Sequence, residues 1–133
     1  MFMEIDYKRD PSSGSLGIIE FEKLKFSPVR LYWVSDFIPG STRGNHAHKT
    51  LRQAMFVIAG SVNIKLFEGR NEHILKMEPS GNILYIEPGI WREFWTDEPG
   101  SIICVLCDQP FNENDYIRDF DKYIEWFKSQ NES

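Results

Sequence analysis

The feature that most limits what this chain can become is how often its apolar runs are interrupted. Hydrophobic or alternating segments occupy residues 16–21, 29–38, 53–58, 62–67, 73–77, 83–86, 90–95 and 102–106. Between them stand Pro39-Gly40, Gly60-Ser61, Glu68-Gly69-Arg70-Asn71, Pro79-Ser80-Gly81, Pro88-Gly89 and Pro99-Gly100. Short runs cut by turn formers at regular intervals are the pattern of a β-sandwich or barrel. Residues 62–67 alternate, with Asn63 and Lys65 on the wet side, as expected of a strand with one solvated face. The four residues that follow supply a hairpin turn.

The tail follows another rule. From 119 to 128, Phe120, Tyr123, Ile124 and Phe127 recur at spacings of three and four. That is one face of a short helix, with Asp119 as its N-cap. Such a helix packs on a sheet or covers an edge.

At 133 residues, 41% hydrophobic and 26% charged, the chain has the size and composition of one globular domain spanning 1–133. It is long enough to bury roughly two-thirds of its unfolded surface without a metal or disulfide. Fifteen Lys+Arg against 20 Asp+Glu leave a formal charge of −5 and a pI near 5.2. That balance disfavours binding to a nucleic-acid backbone. No apolar run is long enough to span a membrane, and the first ten residues are mixed and polar, unlike a signal peptide. A cytoplasmic location is expected. Cys104 and Cys107 lie within one apolar run. On a strand, residues three apart face opposite ways, so the thiols are read as small buried hydrophobes and not as a redox or metal half-site.

The chemically informative stretch is GSTRGNHAHKTLRQAMFVIAG, residues 40–60, which holds two of the three histidines. His46 and His48 are two apart, so on an extended chain they share a face. Beside Arg43 and Lys49 the pair reads as a site more readily than as packing. The third histidine, His73, lies in a hairpin arm and is expected at the surface.

The register Gly40, His46, His48, Gly60 resembles the first signature of the cupin superfamily. Gln53 stands at that signature's acidic position. Gly81, Pro88-Gly89 and Arg92 resemble the second signature, with Arg92 where metal-binding cupins carry a histidine. A guanidinium does not ligate and repels a divalent ion, so no metal is expected. Four further segments sharpen the resemblance: RLYW at 30–33, RGNHAHK at 43–49, PGIWREFW at 88–95 and NDYIRDFDKYIEW at 114–126. Together they are similar to small cupins of the WxcM/FdtA type, the sugar-nucleotide 3,4-ketoisomerases. The chain departs from these relatives at Ser13-Gly14-Ser15-Leu16, where an arginine is common, so a phosphate contact from that position is not expected.

The resemblance implies a small jelly-roll barrel or sandwich and a dTDP-linked 4-keto-6-deoxyhexose substrate, used to build deoxyamino sugars for surface polysaccharide. The ketone moves from C4 to C3: a base takes the acidic C3 proton, an enediol forms, and C4 is reprotonated. The electrons stay in the substrate, so no cofactor is needed. His46 and His48 are the proton-transfer pair, with His48 favoured as the C–H base and the order left open. Tyr32 and Arg43 are candidate enediolate donors, with Gln53 on the same wall. Tyr32 is equally a half-buried barrel tyrosine. Arg30 and Arg92 are first choices for the diphosphate; Arg43 suits either purpose, and Lys49 adds charge nearby. Trp91 or Trp95 is a candidate for stacking on base or sugar, or for aromatic packing. Relatives are homodimers with exchanged N-terminal strands, and residues 16–21 are assigned to that exchange. Two other readings stand beside this one: a 3,5-epimerase of the same substrate class, and a non-catalytic sugar-nucleotide-binding cupin.

Overall fold

The computed structural model describes residues 2–4 and 6–132. In chain order the strands are β1 (Phe2–Glu4), β2 (Asp6–Asp10), β3 (Gly14–Ile18), β4 (Arg30–Val34), β5 (Arg43–His48), β6 (Gln53–Ala59), β7 (Val62–Glu68), β8 (Asn71–Met77), β9 (Asn82–Ile86), β10 (Ile90–Trp95), β11 (Ile102–Cys107) and β12 (Tyr116–Ile117). One helix, α1 (Phe120–Asn131), closes the chain. The expected all-β architecture is therefore present. Two antiparallel five-stranded sheets, ordered β1-β9-β6-β11-β4 and β12-β5-β10-β7-β8, face each other, and β2 and β3 form a separate ribbon.

Period-two alternation fills the space between the sheets. Met55 and Val57, Ile64 and Leu66, Leu84 and Ile86, and Ile103 and Val105 all point inward into one core. Full burial of such side chains contributes about 1.5–3 kcal/mol each. Cys107 joins that core, whereas Cys104 sits opposite the exposed Trp33 on the outer face. Both thiols are free and buried, on opposite faces as alternation requires.

The helix matches its expected start. The Asp119 carboxylate accepts from the Lys122 amide at 3.0 Å. Tyr123 and Ile124 pack against Ala47, Trp91 and Ile117 on the outer face of the second sheet. The Tyr123 hydroxyl accepts from the Gly69 amide at 2.9 Å and reaches the Gly89 carbonyl at 2.7 Å, tying helix to hairpin. No helix among the described residues is long and apolar enough to cross a membrane.

Three segments differ from expectation. Residues 29–38 give a strand only to Val34, because the chain turns at Asp36 with a φ of 54°. Phe21 lies in a short 3-10 turn, Phe21–Lys23, and not in a strand. The polar DYKRD of β2 carries no apolar alternation and is extended because it pairs with β3, from Asp6↔Ile18 to Asp10↔Gly14. His73 is exposed on β8, as expected.

Candidate active site

The histidine pair depends on a bulge. In the β5–β10 ladder His46 opposes Arg92, Gly44 opposes Glu93 and Arg43 opposes Phe94, so Asn45 has no opposite number. Gly44 and Asn45 both take positive φ, 86° and 56°. A Cβ on Gly44 would lie 2.9 Å from the Arg92 carbonyl oxygen, so only glycine fits there. Beyond the bulge the alternation is regular. His46 and His48 point into the sandwich, and Ala47 points out beneath α1. The imidazoles meet edge to face with centroids 4.8 Å apart.

The backbone and one carboxylate set both tautomers. His46 Nδ1 lies 2.9 Å from the Gly44 carbonyl, an acceptor, so Nδ1 carries the proton. His48 Nδ1 lies 3.1 Å from Asp115 Oδ2 and donates to it. Each Nε2 is left with a bare lone pair, and each is buried without a partner. An imidazole held by its Nδ1–H with Nε2 free is poised to accept a proton.

Arg92, Gln53 and Tyr32 form the adjoining wall. Arg92 is fully buried; its Nη1 donates to Gln53 Oε1 and its Nη2 to the Ile90 carbonyl at 3.0 Å. The Gln53 amide nitrogen donates to the Tyr32 hydroxyl at 3.2 Å and to Cys107 Sγ at 3.4 Å. Five of the expected residues, His46, His48, Tyr32, Gln53 and Arg92, thus converge from four strands at one end of the sandwich.

Asp115 completes the site, and sequence reasoning missed it. Besides His48, its carboxylate accepts from the Thr50 amide (2.8 Å), the Thr50 hydroxyl (2.7 Å) and the Leu51 amide (3.2 Å). Next to it, the Tyr116 ring tilts over both imidazoles, 4.8 Å from His46 and 4.3 Å from His48. Arg118 stacks on the Tyr116 ring, 4.1 Å from its centroid, and is clamped by Glu113 at 2.7 and 2.8 Å. The signal for this cluster was the DYIR segment itself, whose residue types belong to a site as much as to a family pattern.

Burial, followed by the Arg92 cation, pulls His46 down to about 3 and His48 to about 4. A hydrogen bond works in the other direction in each case, to Asp115 for His48 and to the Gly44 carbonyl for His46. Both imidazoles are neutral at pH 7. Burial works against the Asp115 charge, but the hydrogen bonds from Thr50, Leu51 and His48 outweigh it and hold the carboxyl below the ordinary range. Burial pushes Tyr32 upward, so it remains a phenol and a donor. Among the described residues no three His, Cys, Asp or Glu side chains are arranged to hold a metal ion.

The other expected residues fall elsewhere. Arg30 stands at the mouth, its guanidinium 5.1 Å from the Tyr32 ring and 5.7 Å from Phe111. Lys49 is exposed and lines a groove of about 560 Å³ with Tyr116, Arg118, Lys122 and Trp126. Arg43 is exposed at the start of β5 and takes no part in the hydrogen bonds around the imidazoles. Trp91 is a correction. It is 3% exposed beneath α1, edge-on to Phe120, with its indole N–H donated to Glu93 at 3.0 Å, so it cannot stack on a ligand. Its neighbour Arg92 points inward, which forces Trp91 outward. Trp95 shares Trp91's side of the strand.

The family model described as FdtA: WxcM-like, C-terminal matches residues 1–128. A TDP-4-oxo-6-deoxy-alpha-D-glucose-3,4-oxoisomerase from Aneurinibacillus thermoaerophilus is 31% identical over 121 residues, covering 90% of this chain and 87% of the relative. The fold superposes on QdtA, a sugar 3,4-ketoisomerase from Thermoanaerobacterium thermosaccharolyticum solved with TDP, with a TM-score of 0.92 at 32% identity, covering 99% of this chain and 96% of that one. A 3,4-ketoisomerase from Helicobacter canadensis gives 0.88 at 34% identity, with 96% of each chain covered. This chain belongs to the FdtA family of WxcM-like, C-terminal domains.

Proposed function

We propose that this protein is a 3,4-ketoisomerase acting on a TDP-linked 4-keto-6-deoxyhexose. The observation that carries the reading is the pair of neutral imidazoles on one wall, each with a buried, unpartnered Nε2. His48, held by Asp115, takes the C3 proton. His46 exchanges protons with the neighbouring oxygens, and C4 is reprotonated. Two bases on one strand suit transfer between adjacent carbons on one face, whereas an epimerase needs a donor on the opposite face. Tyr32 supplies a neutral donor, and Arg30, whose guanidinium lies beside the Tyr32 ring, takes the diphosphate.

The enzyme is one domain and cytoplasmic in this reading, with no cofactor, and it works as a homodimer with exchanged N-terminal strands. In support, among the described residues β2 and β3 pair only with each other, Leu16 on β3 is 54% exposed, and Leu31 and Trp33 on the outer sheet face are 53% and 63% exposed. Sedimentation velocity is expected to give a dimer, and a monomer at micromolar concentration would discard this part.

The reaction itself is tested by proton NMR of TDP-4-keto-6-deoxyglucose with the purified, chelator-treated protein in deuterated water. A 3-keto sugar with deuterium at C4 is expected. Exchange at C3 and C5 without ketone migration would assign the epimerase instead, and binding without exchange would assign a non-catalytic module.

A further inference from the structure

We propose that Gln53 is a positioning residue that fixes which way the Tyr32 hydroxyl proton points, so that the phenol meets the substrate as a hydrogen-bond donor and not as an acceptor. The proposal rests on the ketoisomerase reading above and deepens it. A phenol can play either part. Only a donor stabilises the oxygen that gains charge when the C3 proton leaves.

Donors and acceptors leave Gln53 one orientation. It is 1% exposed on β6, so its polar atoms need partners within the protein. An arginine side chain carries donors only. Arg92 Nη1 is directed at the end of Gln53, so the carbonyl oxygen Oε1 faces it. A flipped amide would set its NH₂ against the guanidinium, donor against donor. The amide nitrogen is therefore turned the other way. It donates to the Tyr32 hydroxyl at 3.2 Å and to Cys107 Sγ at 3.4 Å. The sheet register makes this reach possible. β11 lies between β6 and β4, and Cys107 opposes Gln53 on one side and Arg30 on the other. The Cys107 thiol, a small buried hydrophobe on sequence grounds, thus also accepts the second amide hydrogen.

Tyr32 is then directed in turn. Its oxygen accepts the Gln53 N–H, so its own hydrogen points away from Gln53. Among the described residues that hydrogen is donated to no protein group. Burial raises the phenol's pKa more strongly than the Gln53 bond lowers it, so the hydrogen stays in place. The result is one unspent donor beside the imidazole pair, aimed by a chain that starts at a fixed cation.

The direction matters to the chemistry. As a histidine Nε2 removes the C3 proton, the C–H pair becomes the C3=C4 bond and the carbonyl π pair moves onto O4. Tyr32 donates a hydrogen bond to that oxygen and keeps its proton throughout. The charge is cleared when C4 takes up a proton and O3 gives one up, and nothing is oxidised or reduced overall. Were the hydroxyl turned toward Gln53, Tyr32 would offer lone pairs to a developing anion and repel it. A donor already aimed in the ground state needs no reorganisation as the charge forms.

The test is a double-mutant cycle between Gln53→Glu and Tyr32→Phe. Glutamate is the same size but has no hydrogen to give, so the Tyr32 hydroxyl turns to donate to it and is lost to the substrate. In Gln53→Glu, kcat is expected to fall about 10²–10³-fold, with a similar fall in Tyr32→Phe, the usual loss for one oxyanion donor. Thymidine diphosphate affinity by calorimetry is expected to stay within about twofold in both. The double variant is expected to be no slower than Tyr32→Phe alone, because Gln53 acts through the hydroxyl that Tyr32→Phe removes. A purely structural role, or an effect of the new charge on the imidazoles, would instead lower kcat by the same factor in both backgrounds, and that result would overturn the proposal. Unchanged kcat in Tyr32→Phe would overturn it as well. Gln53→Met adds no charge and leaves the hydroxyl free to turn, and it supplies a second cycle if the glutamate variant does not fold. There a loss of about tenfold is expected, again absent from the Tyr32→Phe background. If the wild type itself does not move the ketone, the ketoisomerase reading falls first, and this inference with it.

Discussion

Replacing His48 with asparagine is expected to lower turnover of TDP-4-keto-6-deoxyglucose by about 10³-fold, within the range for loss of a positioned general base. Asparagine is close in shape, and its side-chain amide can still donate toward Asp115 Oδ2, the acceptor now 3.1 Å from Nδ1. What disappears is the Nε2 lone pair, which has no partner in the protein. Thymidine diphosphate affinity is therefore expected to stay within about twofold, because the lost group serves the transition state and not the ground state. Calorimetry for binding and NMR for product formation separate the two quantities. His46→Asn is expected to fall by a similar order. Exchange at C3 separates the roles: washout of C3–H without product identifies the variant that keeps the C–H base. A weakened affinity with intact turnover in either variant would sink the proton-transfer assignment and favour a binding role.

The second large effect belongs to Asp115. Asp115→Ala strips the acceptor from three buried or half-buried donors besides a hydroxyl: the Thr50 amide, the Leu51 amide and His48 Nδ1. At about 1–3 kcal/mol for each donor left without an acceptor, a loss on the order of 3–5 kcal/mol is expected. For a domain of this size that is a fall in melting temperature of roughly 10–20 °C. Asp115→Asn separates stability from chemistry. It keeps Oδ1 for Thr50 but puts an NH₂ group in place of Oδ2, facing His48 and the Leu51 amide, which drives the imidazole proton onto Nε2 and removes the base. Turnover is expected to drop about 10²–10⁴-fold, as for a triad whose histidine is held in the wrong tautomer, with a smaller fall in melting temperature than in Asp115→Ala. Equal stability losses in the two variants, or retained turnover in Asp115→Asn, would show that Asp115 is a structural brace only.

Much of this molecule is legible in its sequence because its rules are local. Alternation and turn formers locate β4 and β6 through β11, but not the short strands β1 and β12 at the sheet edges. Asp119 and the spacing of Phe120, Tyr123, Ile124 and Phe127 locate the helix. Two-residue spacing places His46 and His48 on one face. The same rule also decides between Trp91 and Arg92: adjacent residues on a strand cannot both face the core, so an inward Arg92 removes Trp91 from the site. What was not legible is long-range. Asp115 reaches His48 across 67 positions of sequence, and no periodicity announces that pairing. The strand β2 is equally silent, since a polar DYKRD becomes extended only through its partner β3.

The bulge at Asn45 works like a frameshift in the code of alternation. On an unbroken strand, Arg43 and His46, three apart, would face opposite sides. Here Arg43 opposes Phe94 and His46 opposes Arg92, two residues of β10 that share the inner side, so Arg43 and His46 share it too. The unpaired residue disconnects the phase of the strand's two halves. The imidazole half stays locked to the buried floor of the sandwich, while Arg43, on the other side of the bulge, can vary at the rim without changing where either proton carrier points.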